Sequence, residues 1–323
     1  MTAIPKVDVH HHIITPQLEG QLEGAGHAWK GMKVPKWSIA TDQAFSKSIG
    51  VKTSILSVST PGVLFISDPE ESAVVARSMN EHLGSLRDSD PVAYGFFATV
   101  PSLEHTDLVL RELRYAFDTL HADGVTLFTS YATPGGYLGH PDYVPIWEEL
   151  NARKAVVFIH PVDNKNAVYF DERLPMPAFD WPHETGRMAM SMILNRRLQQ
   201  FPDVKIILPH GGGTLASLVR RATLISLPEF GDVMSAEDIV SQAKSFYFDL
   251  ALSGSSEMLP LILGFAEPGH LLFGSDFPAA TIPFSQSHAK FIDEYAMNDE
   301  QRKDIYNGAA QKLFPRLKGT YDA

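Results

Sequence analysis

Eight short apolar runs recur along the chain, with amphipathic stretches between them. They read as strands at Val7–Val9, Thr53–Val58, Tyr94–Val100, Val125–Phe128, Ala155–Ile159, Lys205–Leu208, Phe246–Asp249 and Leu271–Phe273. Helical periodicity covers Ala73–Leu86, Thr106–Leu120, Tyr143–Asn151, Arg187–Gln200, Glu257–Phe265 and Asp299–Leu313. The strands are nearly all apolar rather than alternating, which is the pattern of parallel strands covered on both faces. Eight such units in 323 residues predict an α/β fold, a (β/α)8 TIM barrel. The rival is a doubly wound open sheet. No Gly-rich phosphate fingerprint follows the first strand, which weakens it.

Two segments depart from the repeat. One spans about 15–40 and is rich in Gly, Lys and Pro; the other spans 163–182 and carries many Pro and aromatic residues. Both follow strands, so both are expected as insertions at the C-terminal mouth of the barrel, where loops shape a pocket. No interdomain linker is visible. Residues 1–323 are therefore expected to form one barrel domain.

The formal net charge of −11 argues against nucleic acid as a partner, because a phosphate-binding surface needs clustered Lys and Arg. With no cysteine, disulfides, thiolate metal sites and a cysteine nucleophile are all excluded. Any metal must sit on His, Asp or Glu. The start of the sequence lacks an apolar core of signal-peptide length, and no stretch approaches the ~20 apolar residues of a membrane span. A cytoplasmic protein without a membrane partner is the expectation.

The ends of the runs carry the chemistry. Strand one ends in His10-His11-His12, strand five in His160, strand six in His210 and strand eight in Asp276. In a parallel barrel these ends share one rim, so remote segments converge on a small volume. Strand alternation points His10 and His12 to one face and His11 to the other. His10, His12, His160 and Asp276 then form a nitrogen and oxygen cage for a divalent cation, Zn²⁺ foremost and Mn²⁺ next. Asp8 faces away and is structural. A lone histidine at a strand end is more often a hydrogen-bonded core residue; it is the convergence of four positions that points to metal.

VDVHHH, VVFIHP, LPHGGGT and FGSDFP resemble motifs of the amidohydrolase superfamily. They are most similar to its branch of aminocarboxymuconate semialdehyde decarboxylase and the hydroxybenzoate decarboxylases. PHETGRMAMSMILNRRLQQFPDVKIILPHGGG and IYNGAAQKLF extend the likeness over nearly the whole chain. The resemblance implies that His10, His12, His160 and Asp276 are the metal ligands and that His210 moves a proton beside them. It also implies release of CO₂ without an organic cofactor, in a homodimer or homotetramer. The semialdehyde decarboxylase has an arginine before strand two and another after HGGG. Here those stretches read DQAFSKSIG and ATLISLPEF, with none, which argues against a dicarboxylate substrate. WKGMKVPKWS and STPG resemble the salicylate-type branch. A small aromatic carboxylic acid, 6-methylsalicylate going to 3-methylphenol and CO₂, is the expected reaction. The alternative is a metal-dependent hydrolase, a lactonase or amidase, using the same ligands.

Decarboxylation needs a proton on the ring carbon that bears the carboxylate. Asp276 is the first candidate donor, with His210 donating directly or keeping Asp276 protonated. Trp37, Phe65, Tyr131, Trp181 and Phe277 are rim aromatics that can wall a ring; the plainer reading makes each a loop-packing anchor. Arg187 is a candidate carboxylate anchor, against the ordinary reading of a helix salt bridge. Glu184 is expected to orient a ligating histidine, or else simply to start a helix.

Overall fold

The computed structural model describes residues 4–22, 35–131, 136–163, 171, 173–231 and 233–321. Each apolar run forms a strand: β1 Lys6–Ile13, β2 Val51–Val58, β3 Tyr94–Ala98, β4 Gly124–Phe128, β5 Val156–His160, β6 Lys205–Leu208, β7 Tyr247–Asp249 and β8 Leu271–Leu272. The strands lie in sequential order and pair in parallel. The sheet closes where the chain beyond β8 meets β1. Val9 N–H donates to Phe273 O at 3.0 Å and Asp276 N–H to His10 O at 2.8 Å. The result is the (β/α)8 barrel.

The helices are α1 Pro16–Leu22, α2 Ile39–Ser48, α3 Pro69–Ser89, α4 Thr106–Asp118, α5 Val144–Ala152, α6 Met176–Leu194, α7 Arg197–Gln200, α8 Leu215–Ala222, α9 Ala236–Lys244, α10 Met258–Phe265, α11 Ile282–Glu294, α12 Asp299–Lys303 and α13 Ala309–Leu313. Their starts follow local rules. The Asp68 side chain accepts from Glu71 N–H at the head of α3, and Pro69 occupies the first turn, where a missing N–H costs nothing. In α4, Val109, Leu113 and Ala116 fall on the buried face. The stretch expected as one helix over Asp299–Leu313 runs as α12, a π-helical turn over Asp304–Gly308, and α13.

Several boundaries differ from expectation, most of all at α6. The helix expected from Arg187 begins at Met176, so the second insertion ends before it reaches Pro182. Prolines 177 and 182 argue for loop in the sequence, yet Pro177 lies in the first turn, where proline is tolerated. Burial of Trp181, Thr185, Met188 and Met192 along one side holds the helix together through Pro182. In the first insertion α1 and α2 flank residues 23–34, which lie outside the described residues together with most of WKGMKVPKWS.

Apolar side chains from alternate strand positions fill the barrel. Val7, Val9, Ile55, Phe97, Phe158, Ile207 and Leu272 pack with Leu313, Phe314 and Leu317 from the C-terminal segment. This plug leaves the opposite, C-terminal rim as the open face. Phe158 reaches up to it, with its ring centroid 4.8 Å from that of His10.

Candidate metal centre

β1 positions two histidines and diverts a third. It carries one extra residue against β2, between Asp8 and His11. That bulge puts the Asp8 carboxylate on the side of His11, where strict alternation would have put it with His10. His11 Nδ1 meets Asp8 Oδ2 at 2.9 Å and its Nε2 meets Asp42 Oδ2 at 2.7 Å, all buried. Both carboxylates outweigh burial, which alone would depress the ring, and lift His11 to about 9. His11 is thus an imidazolium held behind the site.

His10 and His12 face the barrel mouth with their Nε2 atoms 3.1 Å apart. Asp276 Oδ1 lies 3.2 Å from each. With His160, these residues place one ligand atom each within 4.8 Å of one another, and all four residues are buried.

The ring orientations come from the far nitrogens. His10 Nδ1 donates to Asp249 Oδ2 at 2.8 Å. His160 Nδ1 donates to the Pro161 carbonyl at 2.8 Å. Ser57 Oγ donates to His11 O at 3.4 Å, so it accepts from His12 Nδ1 at 2.9 Å. All three imidazoles therefore turn Nε2 to one point beside a carboxylate. Ring nitrogens converge this way only around a cation or a proton.

The electrostatics agree. Burial opposes a charge on His10, but Asp249 and then Asp276 raise it to about 10. Burial holds His12 low and His160 well below the usual range, with neighbouring histidines adding to both. Burial pushes Asp276 up, and the facing imidazoles of His10, His12 and His210 outweigh it and hold the carboxyl well below its usual range. The donor set fits a divalent first-row cation: three imidazole nitrogens, with His10 giving up its proton as the cation binds, and one carboxylate oxygen.

His210 and Asp276 have φ of 53° and 61°, in the left-handed region that side chains avoid. Each is pinned: His210 N–H donates to Asp249 Oδ1 at 3.0 Å, and Asp276 N–H to His10 O. Strain held this way marks a site where position matters more than local comfort. The glycines after His210 let this turn pack tightly. A Cβ on Gly213 would sit 2.2 Å from the Pro182 carbonyl oxygen, and one on Gly212 would sit 2.7 Å from the Phe248 ring.

A cavity of about 420 Å³ opens above the cluster. Trp181, Leu252, Met258 and Phe284 supply much of its apolar wall, and among the described residues no Lys or Arg lines it. His160, His210 and Asp276 are the ionisable groups in its lining. His210 Nε2 lies 3.6 Å from Asp276 Oδ2.

Several expected wall residues lie elsewhere. Trp37 donates to Asp42 at 3.3 Å. Phe65 packs against the cluster between β1, β2 and α3. Tyr131 is buried, with its hydroxyl accepting from Phe128 N–H at 3.1 Å. Phe277 stacks on Phe45 at 4.3 Å behind the cluster. Arg187 is exposed, its guanidinium 5.6 Å from the Tyr137 ring. For these five the bland packing reading wins, since none lines the cavity; Trp181 alone of the six does. Glu184 accepts from Tyr137 at 2.8 Å, and the carboxylate that orients a site histidine is Asp249. Sequence reasoning passed over Asp249, although it closes the seventh apolar run as the other site residues close theirs.

A parallel barrel with such a His and Asp group at its C-terminal rim defines a class of proteins suited to a divalent cation at the mouth. The chain belongs to the Amidohydrolase family, whose profile matches residues 7–316. It is 45% identical over 318 residues to the 6-methylsalicylic acid decarboxylase of Penicillium expansum, covering 98% of each chain. It is 44% identical to the 6-methylsalicylic acid decarboxylase of Aspergillus aculeatus, covering 97% of each. In fold it matches the crystal structure of 2,6-dihydroxybenzoate decarboxylase from Rhizobium, with a TM-score of 0.82, 21% identity, and coverage of 98% of this chain and 100% of that one.

Proposed function

We propose that this chain is a metal-dependent, non-oxidative carboxy-lyase acting on a hydroxybenzoate-type acid, with 6-methylsalicylate converted to 3-methylphenol and CO₂. The observation that carries the reading is the cavity. It is largely apolar, without Lys or Arg among the described residues, and it opens on the His10, His12, His160 and Asp276 cluster. The strong identity to two proteins named for this activity supports it.

His10, His12, His160 and Asp276 would hold the cation, Zn²⁺ by the chemistry of the donor set. When bound, it supplies Lewis-acid polarisation of the acid's oxygens. The protein supplies the rest. Trp181 stands over His160 with ring centroids 5.7 Å apart and its Nε1 bonded to Asp163 Oδ1 at 2.6 Å, a fixed wall for an aromatic ring. Asp276 turns Oδ1 to the histidines and Oδ2 to His210. His210 Nε2 has no partner within hydrogen-bond distance and His210 lines the cavity. The His210 and Asp276 pair delivers the proton to the ring carbon, with His210 facing the cavity beside Asp276 Oδ2. The carbon that gains the proton then loses its carboxylate as CO₂, and the ring recovers its aromaticity.

On the same reading residues 1–323 act as one barrel, the setting is the cytosol and the assembly is a homodimer or homotetramer. The test is metal-loaded protein with 6-methylsalicylate, other hydroxybenzoates and simple aryl lactones, following CO₂ and ring opening. CO₂ from a hydroxybenzoate supports the lyase. Lactone hydrolysis without CO₂ replaces it with the hydrolase.

A further inference from the structure

Two hydroxyls in the cavity wall have no role in the protein's own hydrogen bonding. Ser59 and Thr60 directly follow β2, and they are 1% and 3% exposed. Both line the cavity. Ser59 Oγ and Thr60 Oγ1 are buried, and the protein gives neither a partner. Buried hydroxyls are nearly always paired, so a pair left open on a cavity is an exception that needs a cause.

Neighbouring hydroxyls show the contrast. Ser57 Oγ, two residues earlier, joins His12 to the His11 carbonyl. Ser253 Oγ, also in the cavity wall, donates to Ala251 O at 3.1 Å. His160 Nδ1 is spent on the Pro161 carbonyl, and Asp276 Oδ1 lies 3.2 Å from both His10 Nε2 and His12 Nε2, on the metal side of the site. Trp181, Leu252, Met258 and Phe284 add apolar surface. A ligand seated in the cavity would bring the acceptor that both hydroxyls lack.

We propose that the hydroxyls of Ser59 and Thr60 are the clamp for the substrate's carboxylate, and that they make the cavity selective for aromatic monocarboxylates. This rests on the decarboxylase reading and adds the residues that hold the departing group. The carboxylate is chosen over the phenol oxygen because of the charge it loses. As CO₂ forms, its negative charge moves to the ring, so any contact that favours the anion holds back the reaction. A guanidinium would favour it strongly. Two neutral hydroxyls orient the group and give it up more readily. A second carboxylate on the ring would find no Lys or Arg among the described residues that line this cavity.

The test compares binding of salicylate and 3-methylphenol, by calorimetry, to metal-loaded parent and Ser59→Ala/Thr60→Val protein. The phenol lacks the carboxylate. The expected result is a loss of about tenfold or more in salicylate affinity, from the bonds to a charged group, with phenol affinity unchanged. Thr60→Ser should keep the acid affinity. Metal content should stay the same and Tm should hold or rise, because an unpaired buried hydroxyl is replaced by carbon. Salicylate binding as tight as the parent's, or equal weakening of acid and phenol, overturns the clamp. Should the double variant fold poorly, Ser59→Ala alone decides by the same two ligands. A parent that binds salicylate but releases no CO₂ from any hydroxybenzoate sinks the decarboxylase reading and leaves the clamp standing.

Discussion

Asp249 takes the Nδ1 proton of His10 on one oxygen at 2.8 Å, and its other oxygen receives the backbone N–H of His210 at 3.0 Å. One buried carboxylate at the end of β7 thus sets the tautomer of a ligand candidate and the seat of the residue proposed to move the proton. Ala251 N–H also donates to it, at 3.0 Å, which keeps it from turning.

Asp249→Asn should therefore weaken the metal site without emptying it. An amide can present its NH₂ to His10 and favour the wrong tautomer. The expected loss is about 10–100-fold in metal affinity, read by competition with a chromogenic chelator. Affinity equal to the parent's would remove Asp249 from this role.

His210→Asn should retain full metal content and lose turnover by roughly 10²–10⁴-fold, the range for a positioned proton donor. Metal analysis and a CO₂ assay on one preparation separate the two effects. Substantial turnover in this variant would place the proton elsewhere.

The metal site should tighten as pH rises. His10, raised to about 10, carries a proton that a cation must displace. Apparent affinity should climb by up to about tenfold per pH unit between pH 6 and 8, in metal-buffered titrations. A flat profile would mean that His10 is already neutral. Chelation should abolish activity, and Zn²⁺ or Mn²⁺ should restore it.

His11 should make stability depend on pH in a stated direction. Its folded value of about 9 lies above the ordinary 6.5. The gain is full below about 6.5 and is lost as pH rises through about 9, on the order of 3 kcal/mol. The difference in unfolding free energy between parent and His11→Asn, at fixed metal, should shrink from pH 6 to pH 10. A constant difference would show that the ring is neutral between Asp8 and Asp42.

Much of the site could be read from the residues because strand ends are special in a parallel barrel. Every such strand delivers its last side chains to the same rim, so His10, His12, His160, His210 and Asp276 could be grouped before any distance was known. The apolar runs were equally plain, since burial on both faces removes polar residues from the strand itself.

The cavity wall was not legible in the same way. Which aromatic faces a pocket depends on how a helix is rotated and where it begins, and α6 begins inside a segment whose prolines suggest a loop. Trp181 reached the cavity while Tyr131 and Phe277 turned into packing, and nothing in residue type separates the three.

By itself, then, the amino-acid order determined the barrel and the candidate ligand positions, because both follow from periodicity along single strands. The tertiary structure alone decided the partners of those positions: Asp249 for His10, Asp42 for His11, and two unpaired hydroxyls beside the cavity. Such contacts join segments far apart in the chain, and their geometry is set by the packing of the whole closed sheet rather than by any local pattern.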